Sequence, residues 1–184
     1  MKRKVIVCVV CFVLPLVTLA VCFVKDIQFN QRCAGFLKQA ADANSVELAE
    51  RQLSLAIDYI EKNGLTSGYT SVIYKTEDEN IGFWYENLKT CQKELAETKD
   101  NSTLENTNVL MKLRESLTDE SEKGTKLTIP PGLYLYPHNA VFMVVGSISF
   151  VMFLISLVMI AWIWADIKAE YDDDDDDDDD EEED

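Results

Sequence analysis

The sequence predicts an all-α membrane protein: two transmembrane helices flanking a small extracytoplasmic helical bundle, with room for a minor two-stranded β element, and a disordered acidic C-terminal tail. Three observations carry this prediction. Residues 5–24 and 140–165 are apolar runs, each longer than the roughly 18 residues that mark a bilayer-spanning helix. The stretch between them, 25–139, is polar but striped with apolar residues at helical spacing. The chain then closes on an unbroken acidic run.

The first run follows directly on Lys2, Arg3 and Lys4. The basic flank of a first hydrophobic segment stays in the cytoplasm as a rule. Residues 1–4 therefore read as a cytoplasmic N-terminus, 5–24 as a signal anchor, 25–139 as outside, 140–165 as the second span and 166–184 as a cytoplasmic tail. The location implied is a plasma or inner membrane, crossed twice. A cleaved signal peptide competes, because Thr18 and Ala20 could sit at the minus-three and minus-one positions of a cut before Val21. Against it, the run exceeds the roughly 7–15 residues of a signal-peptide core. The orientation is the same either way. It rests on charge density beside the first helix rather than on total charge, since Lys25, Arg32, Lys38, Lys123 and Lys126 lie near the ends of the loop.

Cys8, Cys11, Pro15, Thr18 and Cys22 recur at steps of three and four, and so do Gly146, Ser149, Phe153, Ser156 and Ile160. Small residues let membrane helices approach closely, so these two faces suit each other or a second copy. Cys8 and Cys11 form a C-x-x-C pattern, but redox or metal chemistry needs accessible thiolates; in hydrocarbon they read as packing residues. Trp162 and Trp164 end the second run, and Tyr134 and Tyr136 precede it, as expected of interfacial aromatic belts.

The loop reads as four helices. Cys33, Phe36, Leu37, Ala40 and Ala41 make one stripe. Asn44 with Glu47 resembles a capping box that opens a second helix, with Val46, Ala49, Leu53, Ala56, Ile57 and Ile60 inward and a stop at Gly64. A third helix is expected over 77–97, its seam formed by Ile81, Trp84, Leu88, Cys91 and Leu95, with Glu77, Asp78 and Glu79 favouring its N-terminal dipole. Ser102 with Glu105 opens a fourth, carrying Leu110, Leu113 and Leu117. Four such stripes can be buried only against one another or a partner, which implies a bundle. Residues 69–75 and 126–129 read as extended and either pair as two strands or serve as connecting loops. Pro130, Pro131, Gly132 and Pro137 make a stiff neck before the second span.

Cys33 and Cys91 lie on the stripes of the first and third helices, as a disulfide if the compartment oxidises them or as two buried thiols. Asn101, Ser102 and Thr103 form an N-glycosylation acceptor pattern. Phe83, Trp84 and Tyr85 are consecutive, so one helix cannot turn all three inward. Trp84 fits the seam, and the others either mark a partner-contact surface or pack under 69–75.

Asp172, Asp173, Asp174, Asp175, Asp176, Asp177, Asp178, Asp179 and Asp180 are consecutive and run on into Glu181, Glu182, Glu183 and Asp184. Without these thirteen charges the formal net charge moves from −16 to −3. The run repels itself and has nothing to bury, so an extended tail is expected. It could associate weakly with divalent cations or with a basic partner. A tight calcium site needs ligands fixed in a turn, and none is present, so no metal site is expected.

Catalysis finds little support. The one histidine, His138, sits between Pro137 and the second run, which rules out a multi-histidine metal site within one chain. No phosphate-binding glycine loop, G-x-S-x-G or H-E-x-x-H pattern occurs. No cofactor and no nucleic-acid partner is expected. The layout of anchor, helical outer domain and second span is similar to the sensor half of bacterial chemoreceptors and sensor kinases, although the tail is too short for their signalling domain. The proline-containing neck is similar to that of membrane regulators of polysaccharide chain length. The function expected is non-enzymatic: an outer helical domain that binds another membrane protein or assembles with copies of itself. The alternative is a sensor or transport-accessory subunit acting through the acidic tail.

Overall fold

The computed structural model describes residues 2–73, 75–98, 103–121 and 124–178. In chain order the elements are α1 (Lys2–Phe29), a π-helical turn (Asn30–Ala34), α2 (Gly35–Ala41), α3 (Val46–Lys62), a 3-10 turn (Glu77–Glu79), α4 (Ile81–Thr98), α5 (Thr103–Leu117), strands β1 (Thr118–Ser121) and β2 (Gly124–Leu127), a second 3-10 turn (Leu133–Leu135) and α6 (Asn139–Asp178). The chain divides into two compact units, one comprising α1 up to Val21 with α6 from Val141 onward, the other Cys22–Ala140.

Two helices are long and apolar enough to cross a membrane, with apolar windows inside Ile6–Ala41 and Asn139–Ala165. The rings of Phe12 and Phe153 meet at 5.9 Å between centroids. The tail departs from expectation. Where an extended chain is expected from residue 166, α6 continues as helix through Asp178. A helix already nucleated by a long span needs only propagation for each further residue, which is far less costly than starting anew. Asp179, Asp180 and residues 181–184 lie outside the described residues.

The second unit is built on the expected stripes. Cys33, Leu37, Ala40 and Ala41 are buried along the π turn and α2, as are all six inward residues of α3 and Ile81, Trp84, Leu88, Cys91 and Leu95 of α4. Leu113 and Leu117 bury α5's contribution, while Leu110 lies at the edge. The helices pack in a closed ring, α2 on α3, α3 on α4, α4 on α5 and α5 back on α2. Each stripe therefore has a neighbour on both sides, which is how four half-apolar helices leave water together.

Helix ends follow from local chemistry, with two corrections. The cap of α3 is Ser45, not Asn44: its extended backbone turns the hydroxyl back to accept from the Leu48 amide at 3.3 Å. This places Glu47 one position short of a capping box. At the other end Gly64 adopts φ +68°, and the amides of Gly64 and Leu65 reach the carbonyls of Glu61 and Ile60 at 3.1 and 2.9 Å. This is the paired closure that a left-handed residue allows. The acidic trio Glu77, Asp78 and Glu79 stays out of α4 and forms the 3-10 turn instead. There the Glu79 carboxylate accepts from the Thr76 hydroxyl at 2.8 Å, and Asn80 caps α4 by accepting from the Phe83 amide at 3.1 Å. Ser102, the expected cap of α5, falls outside the described residues.

The small sheet exists, and of the two readings left open for 69–75 and 126–129 it is not their mutual pairing. β2 pairs antiparallel with the segment just before it, Thr118 opposite Leu127 and Ser121 opposite Gly124. Closing so short a loop costs less chain entropy than bringing in residues about fifty positions away. The 69–75 segment makes one isolated bridge, Tyr69 to Asn80, supported by Thr70 donating to the Glu79 carbonyl at 3.0 Å.

Replacing Leu53, which is fully buried, with Ala should cost about 3 kcal/mol in denaturant unfolding of the full chain. Leu55→Ala, on the exposed face of the same helix, should stay within about 0.5 kcal/mol. Equal losses would contradict the orientation of α3.

Candidate functional site

Helical rotation separates the aromatic trio. Trp84 is 7 % exposed and its indole N–H donates to the Thr128 carbonyl at 2.8 Å, tying α4 to the chain that leaves β2. Tyr85 is half-buried at the edge, its hydroxyl donating to Glu61 of α3 at 2.7 Å, with Lys89 reaching the same carboxylate oxygen at 3.5 Å. Phe83 is 63 % exposed. Of the aromatic trio of candidate contact residues, then, Trp84 is core, as its place in the seam predicts, Tyr85 is an inter-helix tie and Phe83 stands in solvent. The loop before α4 adds Val72 and Ile73, also exposed. That loop is fastened to the start of α4 by the Tyr69–Asn80 bridge and by the Ile81 amide donating to Gly68 at 2.9 Å. Its other side holds the neck, where the Tyr136 hydroxyl donates to the Ser67 carbonyl at 3.0 Å. A Cβ at Gly68 would lie 2.5 Å from that hydroxyl oxygen, so this close approach requires glycine.

The Glu61–Tyr85 bond perturbs both groups. Its hydrogen bond to the Glu61 carboxylate pushes Tyr85 up to about 12, with burial and the Glu61 and Glu86 charges adding to the effect. The same bond is the main cause that holds Glu61 below the usual carboxylate value, aided by Lys89. A raised tyrosine pKa means that the bond's contribution is complete below the free tyrosine value near 10 and is lost as pH rises through about 12. A lowered carboxylate means that the contribution is present above the ordinary glutamate value and is lost as pH falls through the depressed one.

The predicted membrane faces meet within the chain. Cys8, Cys11, Pro15, Ser149 and Ser156 are buried, and Thr18 and Gly146 are half-buried. The Thr18 and Ser149 hydroxyls share a hydrogen bond at 3.3 Å, and the Cys8 thiol donates to the Ser156 carbonyl at 3.8 Å. Residue number rises on α1 as it falls on α6 across these pairs, so the helices run antiparallel. Cys22 belongs to the other unit and is half-buried. The remaining faces of both helices expose Val, Leu, Ile and Phe.

Cys33 and Cys91 are both free and buried. They face different neighbours: Cys33 lies by Tyr59 of α3, and Cys91 lies by Ser116 and Lys112 of α5. The structure thus contains the two-thiol alternative and no bridge. Burial pushes the Cys91 thiol up, which keeps it protonated and unreactive. Among the described residues no group of three or more His, Cys, Asp or Glu side chains is arranged to hold a metal ion. His138 is exposed. The backbone of Asp172 to Asp178 belongs to α6.

One feature escaped the sequence reading. A cleft of about 1130 Å³ opens between the α1–α2 helical stretch, α5, β2 and the neck, its lining including Asp26, Phe29, Lys38, Asp42, Arg114 and Lys126. Arg114 is held there by the Ala41 carbonyl at 3.1 Å and by Asp42 at 3.4 Å. No periodicity could reveal it, because its walls come from segments about ninety residues apart. Comparisons with protein-family models, curated proteins and solved structures find no match to this chain.

Spectrophotometric titration should find one tyrosine ionising at about 12. Glu61→Gln should bring that ionisation down toward 10, while an unchanged curve would mean that the carboxylate is not its cause. Ser156→Leu should destabilise the α1–α6 pair by about 1–3 kcal/mol through overpacking, read as a lower denaturation midpoint in detergent.

Proposed function

We propose that the chain is a non-enzymatic, two-span integral membrane protein of the plasma or inner membrane. Its Cys22–Ala140 domain lies outside and binds another membrane protein or a second copy of itself, while both termini are cytoplasmic. The observation that carries this reading is Phe83: a large aromatic side chain left in solvent on a helix whose cap, core face and edge are all otherwise engaged. Exposed Ile73 and Val72 on the loop tied to the same helix end extend the apolar surface. Exposed apolar groups on a fixed framework suit association, since little ordering entropy remains to be lost.

A retained anchor is supported by the packing of Cys8, Cys11 and Pro15; a cut before Val21 would remove every one of these. The antiparallel pair puts Lys2 and the C-terminal part of α6 at one end of the unit, consistent with termini on a common side. The Lys2–Lys4 cluster favours the cytoplasm for that side.

Chemical cross-linking in native membranes should capture a homo-oligomer or one discrete partner. Phe83→Asp should reduce the captured species about ten-fold and leave the melting temperature unchanged. Cross-linking that is indifferent to Phe83 would remove the basis for the surface. A fluorescent protein fused after Asp184 should fluoresce, whereas alkaline phosphatase fused there should stay inactive; the reverse pattern would invert the topology.

A further inference from the structure

Phe83 does not stand alone at the start of α4. Residues 70–79 form a loop closed at its base by the Tyr69–Asn80 bridge, with the Thr70 amide donating to the Glu79 carbonyl at 3.0 Å and the Ile81 amide to Gly68 at 2.9 Å. Lys75 lies over the Tyr69 ring at 5.5 Å, and between those two residues Val72 and Ile73 are exposed. On the return limb the Glu77 carbonyl accepts from the Asn80 amide at 3.1 Å, and the Asn80 side chain accepts from the Phe83 amide at 3.1 Å. Glu77, Asp78 and Phe83 are thereby held on one short, hydrogen-bonded stretch. Glu86 follows Phe83 by three residues, a spacing that sets the two on one helix face with Cβ atoms about 5–6 Å apart.

The charge around Phe83 has one sign. Glu77, Asp78 and Glu86 are exposed, and among the described residues no ion pair engages them. Within 69–88 the sole cation is Lys75, which lies over Tyr69. A two-fold contact is self-complementary, so a second copy docking through this patch would set carboxylates against carboxylates, which opposes association. Other faces of the same chain offer little to match it. Over 25–139 the 18 acidic side chains outnumber the 13 basic ones, and Lys62, Lys89, Lys93, Lys112 and Arg114 are already held in ion pairs.

We infer, on the reading that Phe83 marks an interface, that its occupant is a segment of a different protein, one that packs an apolar side chain on Phe83 and flanks it with Lys or Arg toward Glu77, Asp78 and Glu86. The apolar centre supplies the burial on which affinity depends. The carboxylates around it steer a basic partner in and turn acidic ones away.

The test uses the full chain in phosphatidylcholine nanodiscs with Phe83→p-benzoylphenylalanine, a photoreactive residue that keeps the aromatic ring and reports contact at this position alone. Peptide bound to the acidic run at 172–184 then goes unseen. Two synthetic helical peptides share the same leucines, one carrying lysine and the other glutamate at the remaining positions. The lysine peptide should be captured about ten-fold more than the glutamate peptide. Glu77→Gln, Asp78→Asn and Glu86→Gln together should remove most of that advantage without lowering the melting temperature, as should salt at about 1 M, where the screening length is about 3 Å. Equal capture of the two peptides, or a preference that survives the three substitutions, would overturn the proposal. Capture of a second copy of the chain, undisplaced by either peptide, would overturn it while leaving the Phe83 surface in place. In native membranes the adduct at position 83 should map to a partner segment with Lys or Arg within one helical turn of the contact. Absence of any adduct there would remove the surface itself.

Discussion

The Cys22–Ala140 unit depends on one constraint: four helices, each apolar on one side only, have to remove those sides from water at once. α3 is the pivot, because its six inward residues, Val46, Ala49, Leu53, Ala56, Ile57 and Ile60, are each no more than 3 % exposed and touch both halves of the ring. Fully burying a residue such as Leu53 or Ile60 contributes roughly 1.5–3 kcal/mol. No single helix of this length would persist in isolation. The caps at Ser45, Asn80 and Gly64 then set where each helix begins or ends. The hydrogen bonds of Trp84 and Tyr136 carry that order into the neck.

What the sequence makes legible follows from how far each interaction reaches along the chain. The stripes of α2 to α5 were readable because a period of three and four encodes burial locally. Every residue assigned inward on α3 is buried. Pairing of the two membrane faces was readable as a possibility for the same reason, but the choice between a partner in the same chain and one in a second copy was not. It depends on Cys8 meeting Ser156 across 148 positions. Whether 69–75 and 126–129 pair or merely connect stayed open, because β-propensity identifies extended residues and not their partners. Polar residues 118–121 carry no strand signal of their own and are recruited by β2 next door. The aromatic trio shows the same limit. Periodicity placed Trp84, whereas the fate of Tyr85 hung on Glu61, a residue from another helix.

The π turn at Asn30–Ala34 shows how a local irregularity can preserve a global pattern. One extra residue in a turn rotates everything that follows, yet Phe29, Cys33, Leu37 and Ala40 all remain buried. Phe29 sits edge-on to Tyr59 at 6.2 Å, so the turn falls where the bundle core begins. Gly35, just after it, lies so close to the Asn30 carbonyl that a Cβ would be 3.0 Å away. A small residue is thus favoured at the one place where the helix is wound differently.

The α1–α6 unit places the start of the acidic segment more tightly than its composition does. In the antiparallel register set by Cys8 with Ser156, equal rise on both helices brings Lys2–Lys4 level with about residue 160–162. Trp162 and Trp164, more than two-thirds exposed, therefore mark the same level from the other helix. Cations and tryptophans together are the residues that anchor a span at the head-group layer. In the proposed topology Asp172 stands eight residues beyond Trp164 on a continuing helix, about 12 Å farther out. That exceeds the roughly 8 Å over which charges are felt at physiological ionic strength. In that topology the helix backbone at Asp172 would thus lie beyond the reach of head-group charge.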